Sequence, residues 1–396
     1  MARRAEIPAL TGLRGIAALC VVLNHYGGLA PFAWQTAPHW LMTLFAISDR
    51  GMTLFFTLSG FVITYNYFDY PWQTSLLHSL IRFAWLRFSR LYPLLLLFLL
   101  IHTDWTAPLD LWTALHFASL ESWVPLKLGG ALPIDGRFSV SWSISTEFAL
   151  YSCFALAMLS GARFRRVALT VYAPGVILLV LSPQTQRLIM TQMPVLLEPL
   201  TENEQWNWLI YQGPLYRLLE FAIGAAIARL VLRDPPWRKA AAVQCLPWIA
   251  VGLILAGQWF AYVGDPVPPR LEERQLVWSL CYAAIMLTAD LGGLVARFLS
   301  LVPLVFLGEI SYSLYLFHLS APAIAGLSLN GQGPYVASAL PIFVYRLALG
   351  LLVAIAVAVG LYRVVERPAQ RALRAIGPQP KPATIRSMPT IPLAAE

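Results

Sequence analysis

Arg14 and His25 lie in one apolar run, from Leu10 to His25, of the kind that enters a membrane as a helix. Eleven residues separate them. On an α-helix that spacing is three turns plus about 20°, so both fall on one face, ~16 Å apart along the axis. An ionisable side chain at the centre of a bilayer costs ~2.5–3.5 kcal/mol or more, so such residues face a polar cavity and act there. Further along, Arg87 and Arg90 are three residues apart and share a helix face. Guanidinium groups match phosphate oxygens bidentately. With Arg14 entering at the same inner level, the three form a candidate clamp for an anionic, phosphate-bearing ligand. Arg82 reads instead as ordinary anchoring on the positive side.

Glu147 supplies the complementary charge. It closes the polar stretch Ser141-Trp-Ser-Ile-Ser-Thr-Glu147, with Tyr151 one turn further on, which makes a lipid-facing role implausible. Counting 1.5 Å per residue puts His25 ~22 Å, and Glu147 ~20 Å, from the inner face, so the two are expected at one depth. A carboxylate beside an imidazole holds one tautomer and stabilises the imidazolium, as a general base requires. The plainer reading makes each an interhelical packing hydrogen bond. Gly308-Glu-Ile-Ser-Tyr-Ser-Leu-Tyr-Leu-Phe-His318 adds Glu309, expected to pair with an inner-face arginine, and His318, the other histidine near the middle of a span. Asn24, Ser145, Tyr151, Glu309 and His318 are candidates for contacting substrate, and Asn24, Ser145 or Tyr151 for stabilising an oxyanion. Asn24 also joins Arg217, Glu220, Tyr345 and Arg346 as outer-half residues suited to an acceptor site, with belt and salt-bridge explanations competing.

The elements that position these groups are helices. The 396 residues are 58% hydrophobic and 12% charged, with a mean hydropathy of +0.64. Soluble domains carry about 25% charged residues. The chain is therefore expected to be an all-α polytopic membrane protein. About ten spans are read, near 9–29, 51–68, 83–102, 140–160, 167–182, 214–232, 241–262, 275–295, 304–328 and 338–362. The first is read as an uncleaved span, because Arg14 interrupts it and no small-residue cleavage site follows. Tyr92-Pro93 predicts a kink in the third. Leu109–Leu120 is amphipathic and suits the interface. Glu198, Glu202, Glu204, Trp206 and Trp208 in the 183–213 segment suit either a sugar or an aromatic belt. Residues 1–370 form the membrane domain, and 371–396 a basic, Pro-rich tail that reads as disordered.

With the N-terminus placed in the cytoplasm, twenty of the 28 Lys and Arg fall on the inner side. An even number of spans returns the C-terminus to the same side. The net charge of +8 is thereby a topology signal, and no nucleic-acid partner is expected. Cys20, Cys153, Cys245 and Cys281 sit in apolar runs without metal-ligand or CxxC spacing, so neither a zinc site nor a disulfide framework is expected.

Six blocks together resemble the integral-membrane acyltransferase family 3, bacterial enzymes that O-acylate surface sugars and some antibiotics. They are Leu13-Arg-Gly-Ile-Ala with His25, Gly51–Phe61, Arg87–Pro93, Trp142–Glu147 with Tyr151, Ile310–His318, and Val365-Glu-Arg-Pro368. They run in family order over about 8–370. The resemblance implies a ten-helix bundle in the bacterial inner membrane. It also implies a cytoplasmic acyl-coenzyme A donor, no tightly bound cofactor, and a hydroxyl acceptor on the outer side. It places His25 on the family's functional histidine, Arg14 on its first-helix arginine, Arg87 and Arg90 on its Arg-x-x-Arg pair, and Glu147 on its fourth-helix acid. One departure is Thr53, where the second block usually carries an acid. Many relatives also carry an extracytoplasmic hydrolase-like domain. Without it, transfer is expected to finish in the membrane domain or through a separate partner.

These readings converge on an O-acyltransferase, most simply an O-acetyltransferase acting on a glycan or glycolipid. His25 serves either as general base or as a covalent acyl carrier. The rivals are a flippase for a lipid-linked sugar, for which related halves are not visible, and a non-catalytic scaffold.

Overall fold

The computed structural model describes residues 4–29, 38–48, 50–70, 72, 76–106, 111–123, 140–160, 208–263, 271–324 and 340–379. All regular structure among them is helical. In lipid every backbone N–H and C=O must be satisfied within its own segment, and helices achieve this for apolar runs. The elements are α1 Pro8–Leu29, α2 His39–Ser48, α3 Gly51–Tyr67, α4 Leu76–His102, α5 Leu111–Ala118, α6 Trp142–Leu159 and α7 Pro214–Arg233. They continue with α8 Leu246–Val263, α9 Leu271–Leu287, α10 Leu294–Leu299, α11 Val302–Glu309, α12 Ser311–Phe317, α13 Leu340–Leu361 and α14 Arg367–Ile376. Among the described residues, four stretches are long and apolar enough to cross a bilayer: Pro8–Tyr26, Leu76–His102, Trp142–Leu159 and Leu340–Ile376. The described part of the chain is thus all-helical and of the kind that lies in a membrane. The span expected at 167–182 and Glu198, Glu202, Glu204 and Trp206 lie outside the described residues, while Trp208 Nε1 donates to the Ser122 carbonyl at 3.0 Å.

Three departures from the hydropathy reading have local causes. First, α4 begins at Leu76, well before the expected span, and runs through Pro93 as continuous helix. Its polar N-terminal end is covered rather than solvated. Arg82 donates to Tyr70 Oη (3.0 Å) and to the Pro378 carbonyl (3.2 Å), and Trp85 Nε1 donates to the Leu373 carbonyl (2.8 Å). Second, that cover is α14, so the tail drawn from residue 371 begins inside a helix packed on α4. Residues 380–396 lie outside the described part. Third, the ninth span is broken between α11 and α12 at Glu309–Ile310. Broken helices at membrane depth occur where protein or a cavity takes up the released backbone groups.

Two parallel helix pairs form the centre. Along α1, Thr11 and Arg14 meet Gly308, and Tyr26 Oη donates to the His318 carbonyl at 2.7 Å. Along α3, Thr53 meets Arg217, Thr57 meets Gly224, and Phe68 meets Arg229 on α7. The backbones touch at glycine. A Cβ on Gly308 would lie 1.8 Å from the Thr11 carbonyl oxygen, and one on Gly224 would lie 1.8 Å from that of Thr57. Small residues allow such approach where lipid supplies no hydrophobic drive. Between these pairs, α4 and α6 close an aromatic and aliphatic core around Phe83, Leu94, Phe98, Leu150 and Phe154.

Candidate active site

Where α1, α3, α4, α6 and α12 meet, they enclose about 590 Å³ of empty space, its open mouth included. The lining is apolar on one side (Met52, Phe55, Phe56, Leu91, Ile144) and polar on the other (Arg14, Ser59, Arg90, Ser143, Glu147, Ser311, Tyr312, Tyr315). The helix break fixes one wall. It frees the Gly308 carbonyl, which accepts from Arg14 Nε at 2.8 Å, Arg14 Nη2 at 2.5 Å and Ser311 Oγ at 2.8 Å. Arg14 and Arg90 repel each other there, and Glu147 and Glu366 offset the repulsion. Two like charges sharing a low-dielectric cleft attract an anion.

Glu147 accepts from Ser59 Oγ at 3.0 Å and from Tyr151 Oη. Both donors bind the same oxygen, which holds the carboxylate in one orientation. Arg87, expected as the third clamp residue, does not line the cavity. It is 7% exposed, donates to Tyr67 Oη at 2.7 Å, and lies over the rings of Tyr67, Phe83 and Tyr151. It supports the wall behind Glu147. Of the three arginines, the structure brings Arg14 and Arg90 together and sets Arg87 one layer back.

The expected contact between His25 and Glu147 is not formed; the imidazole meets another histidine. His25 Nδ1 lies 3.0 Å from the Val21 carbonyl and 3.0 Å from His318 Nε2, and the ring centroids are 4.9 Å apart. His318 Nδ1 in turn lies 2.6 Å from the carbonyl of Tyr315, whose side chain lines the cavity. Glu147 instead lines the cavity with Arg14 and Arg90. Depth counted along a helix says nothing of lateral position, and the same count would place His318 ~21 Å into a span starting at residue 304. That match was the available signal for the histidine pair.

The remaining candidates separate. Ser145 is fully buried and accepts from the Ser122 backbone N–H at 3.1 Å, tying the turn after α5 to α6. Asn24 is half-buried on α1 and lies off the cavity lining. Glu309 is exposed and makes no ion pair among the described residues, because the break turns it outward while Gly308 takes Arg14. Tyr345 and Arg346 are exposed on α13. Arg217 and Glu220 form a buried ion pair at 2.8 Å beneath Phe56, Trp142 and Tyr211, with Thr53 Oγ1 3.5 Å from Arg217 Nη1. A carboxylate thus stands near position 53 after all, supplied by α7. Ser59, Ser143 and Glu366 were missed. Hydroxyls in a span carry little signal alone, and Glu366 joins the network by accepting from Ser313 Oγ at 2.6 Å.

Polar groups converging in the core of an apolar helical bundle fit an integral-membrane enzyme. The chain belongs to the acyltransferase 3 family, whose acyltransferase domain matches residues 7–363, and it is a membrane acyltransferase. It is 31% identical to acyltransferase MdmB of Streptomyces mycarofaciens over 405 residues, covering 96% of this chain and 97% of that one. No solved structure matches the chain.

Proposed function

We propose that the protein transfers an acyl group, most simply acetyl, from acyl-coenzyme A on the cytoplasmic side to a hydroxyl of an extracytoplasmic glycan or glycolipid. The observation that carries the reading is the sharing of one cavity by Arg14 and Arg90, with His25 and His318 adjoining its wall through Tyr315. Arg14 and Arg90 hold coenzyme phosphates as charge-assisted donors. Glu147, locked by Ser59 and Tyr151, sets the charge of this donor end and offsets the repulsion between the two guanidinium groups. The pantetheine arm runs outward along α1, and the ~16 Å from Arg14 to His25 separates the phosphate end from the reacting end.

At the reacting end His25 takes the proton of the acceptor hydroxyl. The hydroxyl oxygen attacks the thioester carbonyl carbon, the C–O bond forms, and the C–S bond breaks. The proton passes from His25 to the coenzyme A thiolate. Such general base catalysis contributes ~10²–10⁴-fold. Burial of the site in protein and lipid protects the thioester from water.

The test supplies labelled acetyl-coenzyme A to membrane vesicles holding the protein together with a crude envelope fraction. Base-labile label is counted in the envelope for wild type and His25→Ala at equal abundance. Label lost with His25 supports the reading. Equal label in both removes His25 from the chemistry, and substrate movement without thioester consumption would favour a flippase.

A further inference from the structure

His318 is fully buried just past α12, and its backbone is held independently by Tyr26 Oη. Its ring lies against the rings of His25, Tyr26 and Tyr315, and no carboxylate bonds it among the described residues. A carbonyl oxygen only accepts. The 2.6 Å contact with the Tyr315 carbonyl therefore puts a hydrogen on His318 Nδ1. A neutral imidazole with Nδ1–H carries its lone pair on Nε2, the atom that lies 3.0 Å from His25 Nδ1. His25 Nδ1 thus faces two acceptors, His318 Nε2 and the Val21 carbonyl, and must carry the hydrogen itself. Its lone pair is left on Nε2.

We infer that His318 is a positioning residue that holds His25 as the Nδ1–H tautomer and so makes Nε2 the atom that accepts the hydroxyl proton. The inference rests on His25 being the base, as proposed above. His318 plays the part that a carboxylate plays beside many catalytic histidines. A neutral acceptor does this without adding a buried charge, since an ionised carboxylate at this depth would require a partner of its own. When His25 gains its second proton, the His318 lone pair faces the resulting imidazolium. The proton on Nε2 then leaves to the thiolate, and the pair returns to its starting state.

The test compares His318→Gln, His318→Asn and His318→Leu in vesicles, with initial rates measured against both substrates. The amide oxygen of Gln reaches about as far as imidazole Nε2, whereas that of Asn reaches only about as far as Nδ1. We expect His318→Gln to keep kcat within about threefold of wild type. His318→Asn and His318→Leu should lose ~10–100-fold in kcat with both KM values held within about twofold. Monodispersity in detergent checks folding; if His318→Leu does not fold, the Gln and Asn pair decides alone. Equal losses in Gln and Asn, or a loss confined to KM of the acceptor, would overturn the inference in favour of a ligand contact. Full kcat in His318→Asn beside an inactive His25→Ala overturns this inference alone. An active His25→Ala overturns the base assignment on which it rests.

Discussion

Arg87 and Arg90 sit one turn apart on α4 yet do different work. Arg90 lines the cavity, while Arg87 is enclosed by Tyr67, Phe83 and Tyr151. A charge-assisted hydrogen bond contributes ~1.5–3 kcal/mol, so Arg90→Gln should raise KM for acyl-coenzyme A ~10–150-fold with kcat little changed. Initial rates across donor concentration measure this. Arg87→Gln should act chiefly on stability. Losing the Tyr67 bond and the ring contacts lowers the thermal midpoint in detergent, with a smaller rise in KM than Arg90→Gln produces. A residue outside the spans adds a pH effect. Glu121, in the turn after α5, is 6% exposed, and burial pushes its carboxyl up to about 8, against hydrogen bonds from its own backbone, Ser141 and Ser145. The fold therefore favours the protonated acid. The stabilisation is complete below the ordinary carboxyl range near 4 and is lost as pH rises through about 8. The thermal midpoint should fall between about pH 5 and pH 9, and Glu121→Gln should flatten that slope.

At the scale of elements, glycine contacts set how close the central helices lie. Gly224 on α7 faces the Thr57 carbonyl of α3, where a Cβ would lie 1.8 Å from the oxygen, so Gly224→Ala must push two spans apart. Overpacking of this kind costs ~1–3 kcal/mol. The expected result is reduced membrane abundance and a lower thermal midpoint, measured by fluorescence-detected size exclusion and a heat challenge. Gly360 on α13 meets nothing within 4 Å, so Gly360→Ala serves as the tolerated control. The break between α11 and α12 is the other decisive element. It frees the Gly308 carbonyl for Arg14, presents Ser311, Tyr312 and Tyr315 to the cavity, and ends with His318 against His25. An unbroken helix would keep the Gly308 carbonyl within its own ladder and give Arg14 no acceptor there.

For the molecule as a whole, sidedness rests on the distribution of arginine and lysine. Lys239 stands 61% exposed in an ion-paired cluster with Asp234 and Arg238, and Trp105 is 56% exposed beyond α4. In a cysteine-free background, an impermeant maleimide should label Lys239→Cys only in inside-out vesicles and Trp105→Cys only in right-side-out ones. The reverse pattern would invert the donor and acceptor sides. What the sequence by itself determined is the one-dimensional part of this protein. Apolar runs must become helices in lipid, so the starts of α1, α3, α6, α7 and α13 follow the hydropathy to within two residues. Single residues too polar for lipid marked Arg14, His25, Arg90 and Glu147 for attention. Depth was legible for His25 and His318, but not for Glu147, which was expected beside His25 and lines the cavity with Arg14 and Arg90 instead. Lateral neighbours were not legible, since they depend on which faces pack. Only the tertiary structure could decide that His25 meets His318 while Glu147 meets Ser59 and Tyr151, and that Arg87 is walled off from Arg90. The physical reason is that a helix confines its residues to a cylinder, whereas the angle at which each cylinder faces its neighbours is settled by glycine contacts and side-chain packing from distant parts of the chain.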